Sequence, residues 1–160
     1  YYELLALPEI WYGIFTATGF LLGGIGGHLG HILDGHVRNR TMFLFMLITI
    51  VSACLIAGMV KSVSVVPLLL VGSVMWGFGW PRVQSAINMR VSSERRATIL
   101  STASLMVSLA FIPIGPTLGW VADIWGIQTA LQGLGLFILT IGGLGLGLFV
   151  LNARRREATA

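Results

Sequence analysis

Five long apolar stretches follow one another along this chain, separated only by short polar turns. They cover about 10–33, 41–60, 65–89, 97–121 and 126–151. Each is close to the roughly 20 residues that an α-helix needs to cross the hydrocarbon of a bilayer. In water each would need apolar neighbours on every side, which five such helices cannot give one another. Lipid supplies them. The expected fold is therefore all-α, a polytopic transmembrane bundle of five spans over 1–152 with a short tail at 153–160. Composition agrees: the chain is 56% hydrophobic and 10% charged, where a soluble domain carries about a quarter charged residues. Mean hydropathy is +0.88.

A formal net charge of +4 raises the question of nucleic acid. Nucleic-acid binding needs a basic face, whereas these bases sit in loops between apolar spans, so no nucleic-acid partner is expected. The partners expected are the lipid bilayer and, on the reading below, a small-molecule substrate. Cys54 is the single cysteine and lies inside an apolar run, which excludes a disulfide framework. His28 and His31 precede Asp34 at helical spacing, but three interfacial polar residues ending a helix need no metal. No metal or cofactor is assigned. Nor is an enzyme expected, since the spans hold no nucleophile with a base partner and no acid pair at depth.

Orientation follows from the placement of Lys and Arg, because short cytoplasmic connections carry the excess. Arg38, Arg40, Arg90, Arg95, Arg96 and Arg154 to Arg156 all fall on one side of the alternating spans. Lys61 falls on the other with Glu3, Glu9 and Asp123. The C-terminus is therefore expected inside and the start outside, in a multi-pass protein of the cytoplasmic membrane. The chain opens Tyr1-Tyr2-Glu3 with no basic stretch ahead of the first apolar run. It reads as a piece of a longer protein, with further N-terminal helices as its partners.

Glycines recur through the first span at Gly19, Gly23 and Gly27, with Gly26 and Gly30 offset. Small-xxx-small spacing lets helices approach closely. Arg82 is the one full charge within a span, about 10 Å from its helix end at 1.5 Å per residue. Intramembrane charge is costly and usually functional. Arg82 either faces a central cavity, where it would bind an anionic group, or snorkels to the interface. Helical spacing places it with Met75, Gly79, Ser85 and Met89, and places Trp76, Trp80, Gln84 and Asn88 on another face. Gln84 and Asn88 are further cavity candidates. Trp76 and Trp80 form either a stacking platform for a planar substrate or ordinary packing. Pro81, Pro113 and Pro116 lie within helices and are expected to kink them.

The most informative string is G-H-I-L-D-G-H-V-R-N-R, from Gly30 to Arg40. It resembles the cytoplasmic loop motif of the major facilitator superfamily, G-x-x-x-D-R-x-G-R-R, with Gly30, Asp34, Arg38 and Arg40 matching. Gly35 stands where the family usually has a base, and Val37 where it has a glycine. The segment PRVQSAINMRVSSERRATILS, from Pro81, is similar to that family's tenth helix, following loop and eleventh-helix start. GPTLGWVADIWG, from Gly115, resembles the turn into its twelfth. The resemblance covers essentially the whole chain and implies helices eight to twelve of a 6+6 helix fold. It further implies a secondary transporter that moves a small solute by alternating access, with Asp34, Arg38 and Arg40 as a cytoplasmic gate. The alternative is a multi-pass protein that transports nothing: a sensor, an assembly factor or the membrane anchor of a complex.

Overall fold

The apolar stretches become helices among the described residues, which in this computed structural model are 1–32, 39–89 and 91–158. Five α-helices follow in order: α1 Ile10–Ile32, α2 Asn39–Met59, α3 Val66–Asn88, α4 Ser93–Trp125 and α5 Ile127–Ala158. A single 3-10 turn, Val63–Val65, leads into α3, capped by the Ser62 side chain accepting from the Ser64 amide. Pro67 sits in the first turn of α3, where its missing N–H costs nothing. All five helices are long and apolar enough to cross a membrane. The helices overrun the expected spans chiefly at both ends of α4, which closes at Trp125, and at the end of α5. α4 begins at Ser93 inside the polar loop, and α5 continues through the three arginines to Ala158, although its apolar span is Ile127–Leu148. Helix continuity needs only backbone hydrogen bonds, whereas a span also needs apolar side chains.

Ser92 takes the N-cap position of α4, but its hydroxyl makes no cap bond, and Glu94 in the first turn complements the helix dipole. At the other end Gly126 has φ +84 and ψ 155, a conformation that only glycine adopts without strain. It stops α4 and lets α5 start one residue later. Both Pro113 and Pro116 lie inside α4, and the helix runs through them without interruption.

Glycine decides how the helices pair. Contacts between α1 and α3 advance together along both chains, from Gly19 at Ser73 to Gly30 at Phe78, so these helices run parallel. A Cβ on Gly26 would collide with the backbone of Val74, and one on Gly77 with the carbonyl of Gly23. Only glycine permits backbones this close, and close packing is what joins helices where lipid is as apolar as they are. The α2–α5 pair is antiparallel: Gly58 meets Gln128 and Gln132, Gly135 meets Cys54, and Gly142 meets Leu47. Gln132 ties this pair by donating from Nε2 to the Gly58 carbonyl at 2.9 Å. Antiparallel contact of α2 with α3, where Gly79 receives the Met46 side chain, joins the two pairs. The core accordingly centres on α2 and α3, with Met42, Val51, Ala53, Ala57, Val66, Met75 and Phe78 buried. α4 leans on α5 and buries none of its residues.

Candidate functional site

The directions of the helices bring the C-terminus of α1, the N-terminus of α2, the C-terminus of α3 and the N-terminus of α4 to one end of the bundle. Arg40, Arg82, Arg95 and Arg96 lie at or near this end, while Lys61 is exposed at the other. Arg82 organises the arginine-bearing end. Its Nη1 lies 3.0 Å from Sδ of Met42 on α2, and its Nη2 donates to the carbonyl of Gly30 on α1 at 3.3 Å. The guanidinium carbon stands 5.1 Å from the centre of the Phe78 ring. The bond to Gly30 is charge-assisted, and the aromatic face adds attraction within the roughly 6 Å range of such contacts. One side chain thus ties α3 to both α1 and α2.

Gly30, the first residue of the string read as a gate, accepts the bond from Arg82. Arg40 is half-buried in the first turn of α2. Asp34 and Arg38 lie outside the described residues. Arg82 also lines a cavity of about 440 Å³ between α2, α3 and α4, with Asn39, Phe43, Ala86 and Ile99. Asn88 is half-buried, and among the described residues its buried Oδ1 has no hydrogen-bond partner. Gln84 is half-buried on the same helix.

A second cavity lies towards the opposite end. An open groove of about 670 Å³ between the N-terminal halves of α1 and α3 is lined by Tyr2, Phe15, Thr16, Ser73 and Trp76 over a floor of Gly19, Gly23 and Gly77. Trp76 is 58% exposed and its ring stacks on that of Trp80, with centroids 5.5 Å apart and planes 8° from parallel. Arg82 and Trp76 therefore open onto different cavities, as their different helical faces require. Pro81 is exposed at the join between these regions of α3.

Two features carried no sequence signal. Tyr1 donates its hydroxyl to the Val60 carbonyl at 2.6 Å, folding residues 1–7 over the far end of α2. Gln132 reads as one polar residue in an apolar helix, and only the partner carbonyl of Gly58 gives it a role. On α4, Thr102 and Ser108 bond back to Thr98 and Ser104 of their own helix, so these hydroxyls are satisfied without a neighbour. Comparison with known proteins returns no match among family models, curated proteins or solved structures.

Proposed function

We propose that this chain is the C-terminal part of a secondary transporter of the major facilitator type, moving a small solute by alternating access. In that reading α1 to α5 are helices eight to twelve of a 6+6 fold in the cytoplasmic membrane. The arginine-bearing end faces the cytoplasm, in line with the bias of short cytoplasmic loops toward Lys and Arg. The observation that carries the reading is the Arg82 contact with Gly30 and Met42, which draws three helices together beside the string that resembles the family's gate. A breakable set of polar contacts at one end of a bundle, with an open groove toward the other end, is what two-state access requires. The experiment is flux in proteoliposomes of the full-length protein: Asp34→Asn and Arg38→Ala should slow solute exchange, and unchanged exchange in both variants overturns the gate.

The competing reading is a multi-pass protein that transports nothing and uses its glycine-packed helices as an anchor. The unburied α4 favours it to this extent, that a helix with no buried residues offers a long face to another subunit. Co-purification of a stoichiometric partner, together with no flux in the proteoliposomes, would decide for the anchor.

A further inference from the structure

The groove between α1 and α3 carries chemistry that the gate does not use. Its walls are apolar and largely aromatic, with Tyr2, Phe15 and Phe20 on one side and Trp76 with Leu69 and Leu70 on the other, and no charged side chain is among the described residues that line it. Arg82, on the far side of α3, already binds Gly30 and Met42. Two aliphatic hydroxyls, beside the Tyr2 phenol, interrupt the apolar lining. Thr16 donates to the Tyr12 carbonyl at 2.8 Å and keeps its lone pairs for a donor in the groove. Ser73 does not bond back to its own helix as Ser108 does, and among the described residues its hydroxyl has no hydrogen-bond partner. The Tyr2 phenol is uncharged at neutral pH even at its ordinary pKa, which burial pushes higher still.

We propose that the groove binds an uncharged planar solute, stacked against the exposed Trp76 ring and hydrogen-bonded at its edge by Ser73. What happens after binding rests on the transport reading, whereas the class of ligand rests on the groove. An anion would leave water for a lining with no cation, at a cost nothing here offsets. A planar ring offers its π face to the indole, and edge donors or acceptors meet the two hydroxyls. An acyl chain would leave Ser73 unsatisfied. The volume of about 670 Å³ falls within the usual range of small-molecule sites.

The test is equilibrium binding to full-length protein in proteoliposomes. The probes are radiolabelled caffeine, uridine and coumarin, set against benzoate, nicotinate and glucose. At least one uncharged planar probe should bind saturably, benzoate should not compete with it, and Trp76→Ala should weaken it by about tenfold, as loss of one stacking partner does. Trp76→Phe, which keeps a ring, should retain most of the affinity. Preference for a carboxylate, no binding by any uncharged planar probe, or affinity indifferent to Trp76→Ala overturns the proposal. A second measurement keeps the native tryptophans: Ser73→Cys should react with a water-soluble maleimide and be protected by the bound probe. Reaction only with a lipid-soluble reagent would mean that lipid fills the groove, which overturns it. Flux of a solute that is insensitive to Trp76→Ala would sink the groove and leave transport standing. Binding without flux would support the groove and remove transport.

Discussion

Gly77 of α3 stands against the carbonyl of Gly23 of α1 with no room for a Cβ between them. Four other glycines of α1, at 19, 26, 27 and 30, face the same helix, so the α1–α3 pair is held by backbone contact along its length. Gly77→Leu should therefore prevent this pairing, at a cost above the roughly 1–3 kcal/mol typical of overpacking, because backbone rather than a movable side chain is in the way. Gly24→Ala, which meets nothing within 4 Å, should leave the detergent-solubilised melting temperature unchanged or raise it slightly. Thermal melting of the two variants side by side checks the contrast.

Arg82 makes contacts that lysine cannot reproduce, since a single ammonium does not span the fork between the Gly30 carbonyl and Met42 sulfur. Arg82→Lys should lower stability by about 1.5–3 kcal/mol, the usual worth of a hydrogen bond to a charged group. A melting temperature equal to wild type in this variant would show that charge alone matters there.

The Gln132 side chain and the Gly58 carbonyl form the one side-chain bond seen between α2 and α5 among the described residues. Gln132→Leu should cost about 1 kcal/mol, because interhelical bonds in membranes are worth little more than those in water. Gly58→Ala should cost more, since its Cβ would stand 2.5 Å from Cγ of Gln132 and 2.8 Å from the Gln128 carbonyl. The double variant Gly58→Ala/Gln132→Ala should recover part of that loss, measured as a coupling energy in unfolding by denaturant.

Gly126 occupies a backbone region closed to other residues, at φ +84 and ψ 155. Nothing lies within 4 Å of its missing Cβ, so the cost of Gly126→Ala is purely conformational, about 1–3 kcal/mol. Gly119→Ala, equally open but helical, should be neutral or stabilising in the same unfolding assay.

Helix number and order were legible because each span needs an unbroken apolar run, and such runs are hard to mistake. The glycine spacing of α1 announced a close helix contact, but not that α3 was its partner, because Gly72, Gly77 and Gly79 are too few to show which face they occupy. Arg82 was legible as an anomaly and not as a tie between helices. Its acceptors, a backbone carbonyl and a thioether, belong to α1 and α2 and leave no trace in their own sequences. The separation of Trp76 from Arg82 followed from 100° per residue alone, and the two cavities they line bear it out. Ser73 went unnoticed, since a serine inside a helix normally bonds to its own backbone.

The proposed alternating access would make the two ends of the bundle reciprocal, with Ser73→Cys at the groove reporting on one while Arg82 holds the other. The decisive measurement is the rate at which a water-soluble maleimide labels Ser73→Cys in the full-length protein, with and without Arg82→Ala, using buried Cys54 as the unreactive internal control. Removing the Arg82 contacts should open the arginine-bearing end, close the groove and slow labelling by about tenfold, the effect of roughly 1.4 kcal/mol on a two-state equilibrium. A labelling rate unchanged by Arg82→Ala, in protein that remains folded, would contradict it.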